Sequence, residues 1–330
     1  GPDHSAVWVN KDLGVALGHA RLSILDLSPA GHQPMTSSSG RYVMIFNGEI
    51  YNHLQLRKDV GLSGYSASWK GHSDTETLLA AFSTWGIKKA LQATVGMFGL
   101  ALLDLKERKL ILARDRMGEK PVYYGWQNDT FLFGSELKAL KAHPVFQNTI
   151  NRDSLCLLLR HNTISSPHSI YEGIFKLAPG SILSLNLDNK EVDIETYWSM
   201  KEVVQSALNN PFEGSEQQAL LELESILSKS VSDQMVSDVP LGAFLSGGID
   251  SSTIVALMQA QSTNKIKTFS IGFNEKEFDE AKQAKNVAKY LGTEHTELYV
   301  TSSEALDVIP QLPTMFDEPF ADSSQIPTYL

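Results

Sequence analysis

The sequence predicts two domains of different class: an α+β domain built on an antiparallel sandwich, followed by an α/β domain with a doubly wound parallel sheet. Through roughly the first 200 residues, short β-rich segments are separated by turn residues, which is typical of antiparallel sheets. Beyond them the pattern becomes strand, helix, strand, helix, strand, which is typical of a parallel sheet. A polar segment with Pro and Gly, residues 208–217, separates the two patterns. We therefore expect domains at residues 1–205 and 206–330.

The first domain takes its strands from short apolar segments bounded by turns or polar breaks. These segments are LGVALGHARLSILDL, RYVMIF, MFGLALLDL, KLILARD, PVYYGW, TFLFGSE and SILSLNL. A helix interrupts them at SDTETLLAAFSTWG, which has polar residues at its start and Gly at its end. The spacing of the strands favours an antiparallel sandwich over a βαβ array.

The second domain opens with a predicted helix over residues 216–231, whose apolar residues share one side. The segment AFLSGGIDSSTIVALM, residues 243–258, then predicts a strand, a glycine turn and a second helix. The strand IKTFSIGF, a helix at residues 279–290 and the strand TEHTELYV complete the pattern. Because ligands bind such sheets at the carboxyl ends of the strands, the glycine turn lies where a ligand is expected.

The composition of the 330 residues excludes several classes of protein. A net charge of −10 and a pI near 5.4 leave no basic face for nucleic acid. No apolar segment approaches the ~20 residues of a membrane-spanning helix. No signal peptide is visible, so we expect a cytoplasmic location. The single cysteine, Cys156, excludes a disulfide framework and a cysteine-based zinc site, and its leucine-rich surroundings predict a buried, inert thiol.

The glycine turn, LSGGIDSS, has the features of a phosphate-binding loop. Backbone N–H groups at a helix N-terminus lack partners and attract anions, and adjacent glycines let a phosphate approach closely. The loop matches neither G-x-x-x-x-G-K-[ST] nor G-x-G-x-x-G, so a plain turn that caps a helix remains an alternative. An aspartate in the loop, Asp250, would repel phosphates unless a cation lay between them, which implies Mg²⁺.

Several longer motifs carry a resemblance to known families. SDVPLGAFLSGGIDSS is similar to the pyrophosphate loop of the ATP-pyrophosphatase superfamily, in the form found in glutamine-hydrolysing asparagine synthetases. GHARLSILDLSPAGHQPM, NGEIYN, SDTE, RDRMGEKPVYY and GSELKAL resemble a class II glutamine amidotransferase domain. The resemblance covers nearly the whole chain. It implies an Ntn-hydrolase-like antiparallel sandwich followed by an ATP-pyrophosphatase-like parallel sheet.

In the first domain the resemblance implies a glutamine site. Asn47 and Gly48 would form the oxyanion hole, with the Asn47 side-chain amide and the Gly48 N–H as donors. Glu49 would bind the α-amino group, Asp74 would hold the same ammonium, and Arg21 would pair with the α-carboxylate. The residues alone also allow simpler interpretations. Asn-Gly is a favoured hairpin turn, Arg21 would be a surface residue on an edge strand, and Asp74 would be the N-cap of a helix over residues 75–85.

Other polar residues of the first domain receive no catalytic role. His19 and His32 are interpreted as structural, because a lone histidine beside glycines is more often packed or exposed than a ligand. Arg114, Asp115 and Lys120, in a segment that could be a solvated turn, are expected by resemblance to support the glutaminase pocket.

In the second domain the resemblance implies an ATP site. Leu245 and Ile271 would flank the adenine and ribose, although both end buried strands and would be apolar in any case. Asp250 would bind Mg²⁺. Asp317 and Glu318 would lie near the acyl-adenylate, the alternative being a polar turn before Pro. The phosphates would contact the loop residues Ser246, Gly247, Gly248, Asp250, Ser251 and Ser252.

The implied activity is ATP-dependent synthesis of asparagine from aspartate, with glutamine-derived ammonia and a β-aspartyl-AMP intermediate. ATP and Mg²⁺ are the expected cofactors, the partners are small molecules, and a homodimer is compatible with the family. One alternative is amidation of another carboxylate, such as a uronic acid of a surface polysaccharide. Another is an inactive nucleotide-binding remnant, against which the intact loop and Asn-Gly-Glu motif argue.

The chain begins at Gly1 without Met, and class II amidotransferases use an N-terminal cysteine as nucleophile. We therefore expect the natural protein to extend at both ends, with a Met-Cys-Gly start and a second phosphate-binding loop near its C-terminus. On that expectation the 330 residues alone would not hydrolyse glutamine.

Overall fold

The computed structural model describes residues 3–273, 281–322 and 324–330. Its backbone contacts divide the chain into two units, Gly1–Pro211 and Phe212–Leu330. Each unit is built around its own sheets, and within the described residues no helix is long and apolar enough to cross a membrane.

The elements of the first unit alternate between strands and short helices. Its strands are β1 (His4–Asn10), β2 (Val15–Arg21), β3 (Met35–Thr36), β4 (Tyr42–Ile50), β5 (Gly96–Asp104), β6 (Lys109–Arg114), β7 (Tyr123–Gln127), β8 (Thr130–Gly134), β9 (Ile174–Lys176), β10 (Ser181–Asn186) and β11 (Val192–Thr196). Its helices are α1 (His53–Leu62), α2 (Asp74–Trp85), α3 (Ile87–Ala93), α4 (Leu137–Lys141), α5 (Arg152–His161) and α6 (Met200–Asn209).

The first unit is an α/β/β/α sandwich. A six-stranded antiparallel sheet, in the order β11-β10-β6-β5-β4-β3, packs one face against α1, α2 and α3. Its other face packs against two smaller sheets, β1-β2 and β8-β7-β9, through residues such as Leu17, Leu103 and Leu183. α4 covers the outer side of the second small sheet through Leu137 and Leu140. The predicted antiparallel sandwich is confirmed.

The central strand β5 is buried on both of its faces, and each face contributes to a different core. Along β5, Leu100 and Leu102 enter the core beneath the helices, whereas Ala101 and Leu103 enter the core between the sheets. Because side chains alternate between faces, a strand buried on both faces has a continuous apolar run, which is what GLALL provides. The short apolar segments of the sequence therefore correspond to strands in the middle of the sandwich.

The second unit carries the predicted parallel sheet, which is confirmed. Its strands β12, β13 and β14 lie side by side in that order, and both pairs are parallel. α8 and α9 lie together on one face, where Val255 and Ala284 share a core with Leu245. In the described residues, the two helices that connect the three strands thus lie on the same face of the sheet. The elements are α7 (Glu216–Gln234), β12 (Gly242–Phe244), α8 (Ile249–Gln261), β13 (Lys267–Phe273), α9 (Ala281–Leu291), β14 (Glu294–Val300), α10 (Ser302–Val308), α11 (Leu312–Met315) and α12 (Gln325–Tyr329).

One local prediction is wrong. The Asn-Gly pair at residues 47–48 is not a hairpin turn, because β4 continues through it and pairs with β5 as far as Ile50. Asn47 lies opposite Gly99, and Gly48 lies opposite Phe98. The small residues of β5 and the nine-residue register outweigh the local turn preference of Asn-Gly.

Asp115, directly after β6, organises the loop beside the middle of β5. Its carboxylate is fully buried and accepts four backbone hydrogen bonds. One oxygen accepts from the N–H groups of Phe98 (3.2 Å) and Lys120 (2.9 Å), and the other accepts from Met117 (3.1 Å) and Glu119 (2.9 Å). The Asp115 carboxylate therefore accepts hydrogen bonds both from β5 and from the turn that follows β6.

We expect Asp115→Asn to destabilise the first unit. An amide nitrogen would face two N–H donors, and leaving buried donors unpaired costs on the order of 2–5 kcal/mol. The five tryptophans lie at residues 8, 69, 85, 126 and 198, so tryptophan fluorescence during urea unfolding reports on this unit.

The matched control is Asp188→Asn, which removes an exposed carboxylate paired with Arg108 at 2.8 Å. An exposed pair of this kind contributes less than about 1 kcal/mol. Equal unfolding midpoints for the two variants would contradict the organising role of Asp115.

Candidate functional site

A cavity of about 1220 Å³ lies in the first unit, between the small sheets and the large one. Residues of β2, β4, β5 and β8 line it, together with the start of α2. All five residues expected at a glutamine site border this cavity: Arg21, Asn47, Gly48, Glu49 and Asp74. The structure thus brings together side chains that lie up to 53 positions apart in the sequence.

The outer edge of β4 provides a free backbone donor to this cavity. Alternate residues of a strand direct their N–H and C=O groups to opposite sides, and Asn47 faces Gly99 of β5. Phe46 and Ile50 therefore face away from β5, where their N–H groups donate to Gln33 Oε1 (2.6 Å) and Asp74 Oδ2 (3.0 Å). Gly48 lies between them and faces the same side, and no acceptor for its N–H is found in the described part of the chain.

Only glycine fits at position 48. A methyl group there would lie 2.1 Å from the carbonyl oxygen of Met97 and 2.6 Å from Cα of Phe98. Both contacts are with backbone atoms of β5, which cannot move without breaking the sheet. The close approach of the strands therefore requires the glycine that also leaves the N–H accessible.

Asn47 is exposed in the cavity, and its side chain is held by a residue that the sequence did not single out. Its Nδ2 donates to Ser135 Oγ at 3.1 Å, and Ser135 directly follows β8. The hydrogen bond orients the amide so that its second N–H is available on the cavity side. Ser135 lies in the GSELKAL motif, and a small hydroxyl residue right after a strand was the available signal.

Two carboxylates share one corner of the cavity. Asp74 is 5% exposed, and burial raises its pKa, against hydrogen bonds from the N–H groups of Ile50 and Thr75. Burial also raises the pKa of Glu49, the nearby charge of Asp74 raises it further, and Lys120 opposes both effects. A corner in which two carboxylates are both desolvated favours a bound cation.

The interpretation of Asp74 as a helix N-cap is wrong. α2 begins at Asp74 itself, and the N-cap is Ser73, whose hydroxyl accepts from the N–H of Glu76 at 3.2 Å. Because Ser73 caps the helix, the Asp74 carboxylate is free to bind Ile50 of β4 and to face the cavity.

Arg21 is not the surface residue that an edge strand would suggest. Only 8% of it is exposed, and its Nη2 donates to the backbone carbonyls of Leu25 (3.1 Å) and Asp26 (2.6 Å). The hydrogen bonds found in the described residues use Nη2, which leaves Nη1 and Nε as donors toward the cavity. The anchored guanidinium is thus a cationic group that lines the same cavity as the two carboxylates.

In the second unit, the turn after β12 forms a cradle of donors at the carboxyl edge of the sheet. Ser246 Oγ lies 2.9 Å from Ser251 Oγ and 3.4 Å from the N atom of Gly248. α8 begins after Gly248, and no side chain caps its first turn. Gly247 has a φ of +81°, a conformation that favours glycine.

The remaining loop residues surround this cradle. Ser252 Oγ is buried without a hydrogen-bond partner in the described residues, and Asp250 is exposed in the first turn of α8. Leu245 is buried, and its N–H donates to Phe269 at 2.8 Å, which joins the loop to β13. Ile271 is half-buried on β13, two residues nearer the carboxyl edge.

Three further residues were considered in the sequence: Asp317, Glu318 and Cys156. Asp317 and Glu318 follow α11 and are half-buried, and their grouping with the phosphate loop stays a prediction. Cys156 is exposed on α5, so the prediction of a buried thiol is wrong. α5 turns its cysteine side toward solvent, although leucines flank it in the sequence.

Comparisons with known proteins agree with this division of the chain. Residues 1–198 match the glutamine amidotransferase domain family, and residues 222–330 match the asparagine synthase family. The putative asparagine synthetase [glutamine-hydrolyzing] 2 of Methanocaldococcus jannaschii is 34% identical over all of this chain and 65% of its own length. Asparagine synthetase [glutamine-hydrolyzing] 1 of Bacillus subtilis is also 34% identical, over all of this chain and 50% of its own.

The chain therefore spans only 65% and 50% of the lengths of these two relatives. Among solved structures, glutamine phosphoribosylpyrophosphate amidotransferase of Bacillus subtilis is similar at a TM-score of 0.40, with 16% identity over 86% of this chain and 51% of its own. The chain therefore belongs to the glutamine amidotransferase domain family through residues 1–198, and its residues 222–330 match the asparagine synthase family.

Proposed function

We propose that this chain carries the glutamine site and the nucleotide loop of an ATP-dependent asparagine synthetase. The observation that carries the proposal is the free Gly48 N–H on the cavity, between two outward N–H groups of β4 that side chains already satisfy. Asparagine synthetases similar to this chain support asparagine as the product, and no feature of the described residues favours another acceptor.

Glutamine would be recognised at both of its charged groups. The α-ammonium binds in the corner formed by Glu49 and Asp74, where burial raises the pKa of both carboxyl groups and the charge of Asp74 raises the pKa of Glu49 further. The α-carboxylate accepts from Arg21, whose Nη1 and Nε are not used in its hydrogen bonds to the carbonyls of Leu25 and Asp26. These two contacts place the side-chain amide of glutamine toward β4.

Asn47 and Gly48 would stabilise the charge that develops on the amide oxygen. As a thiolate attacks the carbonyl carbon, the oxygen becomes an oxyanion and accepts from Asn47 Nδ2 and the Gly48 N–H. Losing one such donor typically costs about 2.7–4 kcal/mol of transition-state stabilisation. By resemblance to class II amidotransferases the attacking thiolate would be that of an N-terminal cysteine, and Cys156 is not among the residues that line the cavity.

ATP would bind with its phosphates on the turn after β12. The uncapped first turn of α8 and the hydroxyls of Ser246, Ser251 and Ser252 supply donors to the phosphate oxygens. Asp250, exposed in the first turn of α8, fits a Mg²⁺ ion held by one carboxylate and by phosphate oxygens, which is how proteins commonly hold this ion. When bound, the ion would neutralise negative charge on the leaving pyrophosphate.

The two sites would serve one reaction sequence. A β-carboxylate oxygen of aspartate attacks the α-phosphorus of ATP, the bond to pyrophosphate breaks, and β-aspartyl-AMP forms. In the first domain, loss of ammonia from glutamine leaves a glutamyl thioester, and water hydrolyses it to glutamate. The ammonia then attacks the acyl carbon of β-aspartyl-AMP, and AMP leaves as a proton is lost. The products are asparagine, AMP, pyrophosphate and glutamate.

In the full-length protein, Arg21→Ala should raise the KM for glutamine by about 10- to 100-fold, the value of a lost charge-assisted pair of hydrogen bonds. Synthesis from free ammonia should change little, because ammonia bypasses the glutamine site. Arg152→Ala, at the exposed start of α5, is the control. Equal losses with both nitrogen sources would mean that Arg21 only supports the fold.

The acid limb of kcat/KM for glutamine should move to higher pH in Lys120→Gln. Glu49 must be ionised to bind the ammonium, and Lys120 lowers its pKa against burial and Asp74. Without that positive charge the pKa of Glu49 rises, so protonation begins at a higher pH as the solution is acidified. Lys11→Gln, in the exposed turn after β1, should leave the profile in place. An acid limb that stays fixed or moves down would refute the assignment of Glu49.

Asp250→Asn should lower aspartate-dependent formation of AMP and pyrophosphate by about 100-fold or more, since the variant loses the proposed carboxylate ligand of Mg²⁺. Glutamine hydrolysis should persist, because its residues lie in the first unit. Asp307→Asn, which removes an exposed carboxylate on α10, is the matched control. Unchanged synthetase turnover in Asp250→Asn would remove this residue from the site.

A further inference from the structure

His19, on β2, is a polar residue of the cavity to which the proposed reaction gives no role. It lines the cavity with Arg21, Asn47 and Gly48, and its Nε2 lies 3.0 Å from the backbone carbonyl oxygen of Phe46. The other ring nitrogen, Nδ1, is buried and has no hydrogen-bond partner in the described residues. The sequence suggested a merely structural histidine, but this contact reaches the residue next to the oxyanion donors.

The contact determines the tautomer of the ring. A carbonyl oxygen only accepts, so Nε2 must carry the proton and donate to Phe46. Burial lowers the pKa of His19, against the hydrogen bond to Phe46, and the positive charge of Arg21 and the presence of His4 lower it further. The neutral ring with Nε2–H is therefore the form that fits this position at neutral pH.

His19 and Gln33 together replace a missing strand partner for β4. The backbone pairing of β3 with β4 involves only Val43 and Met44, so the outward edge of β4 is without a strand neighbour at Phe46. Gln33 accepts from the Phe46 N–H at 2.6 Å, and His19 donates to the Phe46 carbonyl. The same carbonyl belongs to the peptide group that continues into Asn47.

We propose that His19 is a positioning residue for glutamine hydrolysis, which holds the Phe46–Asn47 peptide so that the Asn47 amide and the Gly48 N–H converge on one oxyanion. The inference rests on the proposed function. Donors that stabilise a transition state must be held close to their productive geometry, and side chains behind them supply that restraint. With the Phe46 carbonyl released, the peptide can rotate and both donors lose their common target.

The test compares two substitutions in the full-length protein. His19→Leu preserves the approximate size of the side chain but removes its N–H donor, whereas His19→Gln retains an N–H at the end of the side chain. We expect His19→Leu to lower kcat for glutamine hydrolysis by about 10- to 100-fold, with KM changed less than about 3-fold. His19→Gln should recover most of the loss, and synthesis from free ammonia should be unaffected in both.

Other outcomes would overturn the inference. A His19→Leu variant with unchanged kcat, a rise in KM like that expected for Arg21→Ala, an equal loss with ammonia, or no recovery in His19→Gln would each mean that the ring only packs. Asn47→Ala separates this failure from failure of the proposed function. If Asn47→Ala loses hydrolysis while His19→Leu keeps it, only the role of His19 is wrong. If neither substitution affects hydrolysis, the oxyanion site itself is wrong.

Discussion

The alternation of hydrogen-bonding direction along β4 is the constraint on which the glutamine site depends. Every second residue of β4 forms its backbone hydrogen bonds with β5. The N–H and C=O groups of the residues between them must bind other partners or stay free. Side chains from three different segments satisfy the groups at Phe46 and Ile50, while Gly48 remains available. A shift of one residue in the pairing would turn Gly48 into the sheet, so the register of β4 and β5 determines which donor the cavity receives.

Close backbone packing secures that register. At Gly48 a methyl group would collide with Met97 O, and at Gly96 it would lie 2.1 Å from the carbonyl oxygen of Glu49. Two glycines on opposite strands thus interlock, and no slipped pairing would bring glycine to both positions. Asp115 then holds β5 from its other side, through the N–H of Phe98. The large sheet is therefore tightly specified at the segment that faces the cavity.

Each unit presents backbone N–H groups for which no side chain of the described residues serves as acceptor. In the first unit the free donor is in a strand, and in the second it is the start of α8, whose N-cap Gly248 offers no side-chain acceptor. Serine or threonine caps α2, α7 and α10, whereas α1, α3 and α4 lack a side-chain cap as α8 does, so a missing cap alone does not identify a binding site. What distinguishes α8 is the pair of adjacent glycines before its first turn, Gly247 and Gly248, which lets an anion approach the free N–H groups.

Much of this organisation could be predicted from the sequence, because hydrophobic periodicity reflects burial. The strands β5, β6 and β10 and the helix α2 follow directly from apolar runs and end signals. The segments that failed did so where tertiary contacts outweigh local preference. Asn47 and Gly48 form strand instead of a turn, and Cys156 is exposed despite its leucine neighbours. β1 and β11, with exposed and polar residues, carry too weak a pattern to be identified.

At the site, residue types with an obvious chemistry could be singled out, whereas the residues that hold them could not. The roles of His19, Gln33 and Ser135 depend on contacts across 27, 13 and 88 positions, and no local pattern encodes such distances. The Asp74 carboxylate was recognised but placed as a cap, since the pairing of its oxygen with Ile50 becomes visible only in three dimensions.

The left-handed conformation of Gly247 has a consequence for local unfolding in the second unit. A methyl group at this residue would lie 2.8 Å from the backbone nitrogen of Ala284 and 2.9 Å from Cγ of Gln283, so the loop lies directly against the first turn of α9. Neither segment can unfold locally without removing the support of the other. The loop and the start of α9 thus form one cooperative opening unit, in which a ligand that protects the loop from local unfolding also protects the helix behind it.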